Sequence, residues 1–279
     1  MSYFKKDWLG LDWTDWIPLK TTPKVRKIIP TSQGVYRIRA DGYSGIIYIG
    51  QTTNLKTRTA SLSNNSHKKT IPLNDPHTAA PNLWVWKNEE NWRYELSISE
   101  TELTTQNREA FECFLLWKYR LEHNQSTLCN HGRFHPDYIK SGNKKTKLVG
   151  RKLRANEPRN PSGGPSQPPL ESVNKPLNRT WMGVEWSPIR PLTLRDNIPR
   201  STGLYKIINE KKVVYIGETE DLVDRCRSHN RRFKDHHYSF SVLDQDTLYH
   251  QRHELENDLI GCYYQIHTEA PERQFKRKN

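Results

Sequence analysis

The sequence is poor in the features that would place it in several large protein classes. Its four cysteines, Cys113, Cys129, Cys226 and Cys262, include no Cys-x-x-Cys pair. A structural zinc site is therefore not expected, and free thiols in a reducing cytoplasm are. No run approaches the roughly 18 apolar residues of a membrane span. The segment Met1-Ser2-Tyr3-Phe4-Lys5-Lys6-Asp7-Trp8 lacks the apolar stretch of a signal peptide. A cytoplasmic protein without a membrane partner is the expectation. Hydrophobic residues make up 34% of the 279, low enough to expect solvated loop or linker beside the cores of two domains. Acidic residues are in deficit: 31 Asp and Glu face 44 Lys and Arg, and the net charge is +13. That balance favours a polyanionic partner, nucleic acid or an acidic surface.

What the chain has in abundance is internal repetition. Tyr48-Ile49-Gly50 returns as Tyr215-Ile216-Gly217, and each copy follows a Gly-x-Tyr: Gly34-Val35-Tyr36 and Gly203-Leu204-Tyr205. An arginine stands ten residues after each second tyrosine, Arg58 and Arg225. Trp8-Leu9-Gly10-Leu11-Asp12-Trp13 matches Trp181-Met182-Gly183-Val184-Glu185-Trp186 at an offset of 173, residues 48–58 match 215–225 at 167, and residues 94–130 match 238–274 at 144 without a gap. In the last block Arg108 aligns with Arg252, Glu112 with Glu256, Tyr119 with Tyr263 and His123 with His267. The offset falls by 23, so the first copy carries that many extra residues between Arg58 and Tyr94. A domain-sized period means a tandem pair, not a solenoid.

Each copy reads as strand, strand, helix, strand, helix. Val35–Ala40 and Ile46–Ile49 flank the turn Asp41-Gly42-Tyr43-Ser44-Gly45, and Leu204–Ile208 and Val213–Ile216 flank Asn209-Glu210-Lys211-Lys212, both hairpin patterns. Third strands are expected at Trp92–Ile98 and Tyr238–Val242. A helix is expected at about Asn107–Glu122. Phe111, Leu115 and Tyr119 fall on one stripe, as do Leu255, Leu259 and Tyr263. Glu112 and Glu256 sit one residue past the start of that stripe, where a carboxylate can reach a cleft and remain ionised. Between the copies, residues 140–179 read as a linker. The proline- and glycine-rich run 157–169 should hold neither helix nor ladder, and Lys144, Lys145, Lys147, Arg151, Lys152 and Arg154 make the upstream part basic. It is either a solvated tether or an arm that lies along a phosphate backbone.

These ordered positions resemble the GIY-YIG nuclease family, and the resemblance covers both halves. In the first half the matching residues are Tyr36, Tyr48, Arg58, Glu112 with Leu115 and Leu116, and Asn130. In the second they are Tyr205, Tyr215, Arg225, and Glu256 with Leu259 and Ile260. The resemblance implies an α+β chain of two small domains, each a three-stranded antiparallel sheet flanked by helices, with a Pro/Gly-rich basic linker between them. The boundaries would be 1–139, with an inserted segment at about 63–90, then 140–179, then 180–279. It also implies metal-dependent hydrolysis of DNA phosphodiesters, on single or double strands. The glutamate would hold Mg²⁺ or Mn²⁺, the first tyrosine would take a proton from the attacking water, the arginine would face the phosphate, and the second tyrosine would support the site. No small-molecule cofactor is implied. Restriction, anti-phage defence, mobile-element mobility and repair all use this fold.

The physical chemistry of the residues suits these roles. One carboxylate with waters and a phosphate oxygen suffices for Mg²⁺, and the arginine fork matches phosphate oxygens. The tyrosine is the difficult member. At an ordinary pKa of about 10, roughly one phenol in a thousand is ionised at pH 7, a deficit of about 4 kcal/mol.

The halves depart from the pattern in different places. The family places a histidine or tyrosine one helical turn after the arginine. His229 fills that place in the second half and Leu62 in the first, with His67 and His77 of the inserted segment as possible substitutes. Conversely the first half keeps the late asparagine, Asn130, where the second has Gln274, whose amide is one methylene further out. Trp84 and Trp86 in the insertion either pack it onto the core or stack on unpaired bases. The Trp8/Trp13 and Trp181/Trp186 clusters are either packing braces or base-reading groups. Two rival readings are kept: a DNA-binding protein that retains the scaffold without catalysis, and one active half beside a structural or DNA-binding one.

Overall fold

The computed structural model describes residues 1–20, 22–74, 79–194, 196–233 and 235–276. In chain order its elements are β1 (Ile17–Pro18), α1 (Pro23–Ile28), β2 (Gly34–Ala40), β3 (Ile46–Thr52), α2 (Leu55–Ser66), α3 (Ala79–Glu90), β4 (Tyr94–Glu100), α4 (Thr105–His123), β5 (Tyr138–Ile139), β6 (Arg151–Lys152), β7 (Arg190–Pro191), β8 (Gly203–Asn209), β9 (Lys212–Thr219), α5 (Leu222–Asn230), β10 (His237–Val242) and α6 (Tyr249–His267). The class is α+β, with antiparallel sheets flanked by helices. Among the described residues no helix is long and apolar enough to cross a membrane.

The chain forms two compact units, one of residues 1–108 and 126–165, the other of 109–125 and 166–279. This division differs from the boundaries read off the repeat. The expected linker, 140–179, is shared between the units, and most of α4 belongs to the second. The reason lies in side-chain contacts that composition does not report. Ala110 and Trp117 of α4 are buried in the core cluster of Leu255, Leu259 and Ile260. The proline-rich run contains a 3₁₀ turn, Pro161–Gly163, capped by the Asn160 side chain. Upstream of it, Tyr138 and Ile139 pair with Lys152 and Arg151, so the stretch read as a tether contains half of a two-stranded ladder.

In the first unit the strand order is β1-β4-β2-β3, and in the second β7-β10-β8-β9, all antiparallel. Each sheet thus has four strands where three were expected. The additional member has two residues, Ile17–Pro18 or Arg190–Pro191, too short to show an alternating pattern, and its proline sits on an edge, where no ladder donor is lost. The two central strands carry the same irregularity, a register shift after Ile38 and after Ile207.

The paired tryptophans brace the back of each sheet. Trp8, Trp13, Trp181 and Trp186 are all buried, and each later indole donates to the earlier carbonyl: Trp13 Nε1 to Trp8 O at 3.1 Å, Trp186 Nε1 to Trp181 O at 3.0 Å. Leu9-Gly10 and Met182-Gly183 bend the motif through positive φ, which explains the repeated glycine. Beneath each pair lies a buried basic side chain from the central strand. Arg37 Cζ stands 4.2 Å from the Trp13 ring centroid, and Lys206 Nζ 4.2 Å from that of Trp186. Backbone carbonyls complete both: Arg37 donates to Tyr3 O and Lys5 O, and Lys206 to Pro176 O. These clusters are packing devices. The insertion tryptophans pack too: Trp84 Nε1 donates to Lys68 O, and Trp86 stacks on Trp92 at 5.6 Å.

Within the second unit α4 and α6 lie antiparallel and meet at aligned positions of the repeat. Asn257 donates to the carbonyl of Cys113, its repeat counterpart, at 3.1 Å. Gly261 stands against Trp117, again its counterpart. A Cβ on Gly261 would lie 2.8 Å from Cys113 O and 3.0 Å from Trp117 Cβ. The Arg120–Asp258 pair (2.9 Å) is mirrored by Tyr264 against Phe114 (centroids 6.0 Å), as a local two-fold requires. Arg120, Glu254 and Asp258 are fully buried. Their charges also grip residues 167–170: Gln167 N donates to Glu254, Leu170 N to Asp258, and Arg120 to Gln167 O.

Burial pushes the Asp258 carboxyl up to about 6, against the pull of Arg120. Arg120→Met leaves two buried carboxylates without their cation and should cost about 3–5 kcal/mol at pH 8. A carboxyl whose folded pKa exceeds its unfolded value favours folding below that pKa and loses the benefit as pH rises. The difference in Tm between Arg120→Met and the unsubstituted chain should therefore narrow from pH 8 to pH 5; an equal deficit at both would contradict it.

Candidate active site

The geometry of each site starts from strand register. Tyr36 lies directly across from Gly50, and Tyr205 from Gly217. Tyr48 and Tyr215 sit two residues before those glycines, so all phenols of a copy share one sheet face. The rings approach at 5.9 Å in the first copy and 6.0 Å in the second. A Cβ on Gly50 would lie 2.5 Å from the Tyr36 hydroxyl, and on Gly217 2.3 Å from that of Tyr205. The repeated glycine is the floor on which the first phenol rests. Gly34 and Gly203 answer to a different limit: a Cβ there would meet Ser99 O at 2.3 Å or Ser241 O at 2.4 Å.

The helix after β3 or β9 brings the arginine. Asn54 and Asp221 cap α2 and α5 through their side chains, which fixes where each helix starts. Arg58 then donates from Nε to the Tyr36 hydroxyl at 2.8 Å. Burial works against the Arg58 charge, but the Tyr36 and Tyr48 phenols outweigh it and raise its pKa. In the second copy Arg225 Cζ stands 5.9 Å from the Tyr205 ring centroid, and the Tyr205 hydroxyl meets His229 Nε2 at 3.0 Å. Burial, then Arg225 and Arg232, pull His229 down to about 4. It is a neutral base facing a phenol that burial holds well above its ordinary pKa.

In the first copy the histidine position is Leu62, which is fully buried in the core. His67 turns its Nδ1 to Ser63 O at 2.7 Å on the exposed end of α2, so it serves the helix terminus. His77 lies outside the described residues.

Glu256 belongs to the same unit as Tyr205, Tyr215, Arg225 and His229, and its charge helps to raise both phenols, behind burial. His253 Nδ1 contacts Glu256 Oε2 at 3.2 Å, and its Nε2 lies 3.7 Å from Glu218 Oε1. Burial alone would depress His253, and the two carboxylates raise it instead. Glu112 is half-buried on the part of α4 that belongs to the second unit. Asn130 and Gln274 do equivalent work despite their different lengths. Asn130 Oδ1 accepts from Ile49 N, and Gln274 Oε1 from Ile216 N, both at 3.0 Å. They pin the Tyr-Ile-Gly strand from its free edge.

Sequence reading passed over the groups behind these residues. Arg108 donates to Gln51 at 2.8 Å and also to Gln33, while its counterpart Arg252 donates to Glu218 and Glu220, each at 2.7 Å. Gln51 and Glu218 are aligned, so one buried arginine faces a neutral amide in one copy and a charge in the other. The aligned arginines were visible, but nothing in the sequence named their partners. Beside the second cluster a cleft of about 460 Å³ is lined by Glu218, Asp221, Asp224, Arg225, Tyr249 and Arg252, among others.

Among the described residues no three His, Cys, Asp or Glu side chains form a group able to hold a cation alone. A hard cation at Glu256 would be completed by water and phosphate oxygen, a donor set that fits Mg²⁺ or Mn²⁺ and not zinc.

Replacing a strand glycine by alanine ordinarily stabilises by about 0.4–1 kcal/mol through the unfolded chain. Gly50 and Gly217 have no positive φ, so the obstacle to a methyl is the overlying rings, Tyr36 and Tyr48 at Gly50 and Tyr205 at Gly217. Gly50→Ala and Gly217→Ala should each destabilise, by about 1–3 kcal/mol, in thermal or denaturant unfolding. A rise in Tm would contradict this placement of the phenol.

Comparison with protein-family models, with curated proteins and with solved structures finds no match to this chain.

Proposed function

We propose that the chain is a metal-dependent DNA endonuclease of the GIY-YIG type, with one site in each copy of the repeat. The observation that carries this reading is the gathering of Tyr205, Tyr215, Arg225, His229 and Glu256 in one compact unit, with the phenol–guanidinium pair repeated as Tyr36 and Arg58. The basic excess, +13 overall, suits a nucleic-acid substrate.

In the second site a water oxygen bonds to phosphorus and one P–O ester bond breaks. The water proton passes to the Tyr205 oxygen as the phenol proton passes to His229 Nε2. Arg225 steadies the non-bridging phosphate oxygens, and solvent protonates the leaving oxygen. Burial holds the Tyr205 phenol well above its ordinary pKa, while burial and then Arg225 and Arg232 pull His229 down, so moving that proton in an empty site is uphill and needs a further source of stabilisation. The dyad alone does not supply that. Glu256 would hold a divalent cation, which would offset negative charge on the phosphate and leaving oxygen and favour the phenolate. In the first site Arg58 donates directly to the Tyr36 oxygen, which favours the same ionised form without an imidazole. Glu112 is the residue aligned with Glu256 in the repeat.

A duplex has two strands, and two sites in one chain can cut both without dimerising. Glu112→Gln and Glu256→Gln should each convert double-strand breaks of supercoiled plasmid into nicks, by a loss of about 100-fold or more at one site. The double variant, and chelation of the metal, should abolish both products. If one single variant keeps full double-strand cleavage while the other is dead, the division between two sites is wrong. Salt-sensitive binding without cleavage under any metal would replace the nuclease with a binding protein.

A further inference from the structure

The first unit displays a built hairpin that its candidate site does not use. Its root is anchored: Tyr138 Oη donates to Glu89 Oε1 and Lys152 Nζ to Glu89 Oε2, each at 2.6 Å, and Arg151 pairs with Glu157. Its tip is ordered by its own hydrogen bonds. Gly142 N donates to Leu148 O and Gly150 N to Ser141 Oγ, both at 2.8 Å, while Asn143 Oδ1 accepts from Lys145 N and Thr146 N, both at 3.0 Å. Gly142 and Gly150 permit the close turn, since a Cβ would lie 2.2 Å from Thr146 Oγ1 or 2.5 Å from Ile139 O.

This ordered tip buries almost nothing. Residues 143–149 are all exposed, including Lys144, Lys145 and Lys147, and two neighbouring aliphatics stand open, Leu148 at 67% and Val149 at 58%. Residues 138–156 contain no Asp or Glu. Ordering a chain segment costs conformational entropy, and this segment recovers little of that from its own burial. A partner of opposite charge with a grooved apolar wall would recover it. A nucleic-acid duplex provides both: phosphates for the lysines, and sugar and base edges for the aliphatics. Two small aliphatics without an aromatic residue make a poor membrane insert.

We propose that the Gly142–Gly150 tip is a DNA-docking finger, with Lys144, Lys145 and Lys147 on backbone phosphates and Leu148 and Val149 against the groove wall. The proposal rests on the nuclease reading, and its test separates the two. Binding of the full chain to a short fluorescein-labelled duplex would be followed by anisotropy in EDTA across a salt series. The variants are Lys144→Ala/Lys145→Ala/Lys147→Ala, the corresponding triple exchange to Arg, and Leu148→Ser/Val149→Ser. All these side chains are exposed, and equal Tm values check the fold. The alanine triple should bind at least tenfold more weakly and flatten the logarithmic salt slope by about 2–3. The arginine triple should keep both affinity and slope, and the serine pair should lose affinity at unchanged slope. Unchanged affinity in the alanine and serine variants, with the unsubstituted chain still binding and cutting DNA, overturns the finger alone. An unsubstituted chain that binds no duplex overturns both. Loss of sedimentation with phosphatidylserine vesicles in the alanine triple, with DNA binding intact, overturns the finger in favour of a membrane.

Discussion

The contact on which each candidate site depends is a phenol oxygen resting on a glycine across one antiparallel step. Tyr36 opposes Gly50, and Tyr205 opposes Gly217. Any side chain at the glycine would occupy the space of the hydroxyl. That single register brings the second tyrosine beside the first, and the capped helix that follows brings the arginine to the same face. A slip of one residue would turn both phenols to the opposite face, where Arg37 or Lys206 is held beneath the tryptophans. The bulge, the edge clamp by Asn130 or Gln274 and the tryptophan brace all hold this register.

Both copies keep this frame, but they differ in electrostatics. The first phenol receives a hydrogen bond from a guanidinium; the second meets a neutral imidazole. The buried arginine behind the site faces Gln51 in one copy and Glu218 in the other. His253 links Glu218 to Glu256 only in the second copy, where the aligned positions of the first are Gln51, Glu109 and Glu112. The same strand register thus sets two phenols in different proton environments. Under the proposed function, that chemistry predicts two sites of unequal rate without any change of fold.

Much of this was legible because the sequence repeats itself. The glycines, tyrosines and arginines stand at matched spacings, and spacing is what a strand register and a helix start convert into position. The alternating strands and the stripe of Leu255, Leu259 and Tyr263 were readable for the same reason. The two-residue edge strands were not, because a period needs more residues than they have. The membership of α4 was not readable either. Its burial in the second unit depends on Gly261 admitting Trp117 and on a buried ion pair of residues 138 positions apart, Arg120 and Asp258. The proline-rich run looked unstructured by composition, yet Glu254 and Asp258 fix it through backbone amides. Gln274 looked like a departure from Asn130 and instead makes the same bond, its longer arm reaching the same strand position.

The most direct measurement is the single-turnover cleavage rate of a defined DNA duplex with Mg²⁺, for the unsubstituted chain and for Tyr36→Phe/Tyr205→Phe. Removing two hydroxyls leaves the rings on their glycines and takes away the atoms proposed to accept the water proton. The account predicts Mg²⁺-dependent cleavage that falls by about 10²–10⁴ in the double variant, with duplex affinity unchanged. Cleavage at the original rate in the double variant, or none by the unsubstituted chain with any divalent metal, would contradict it.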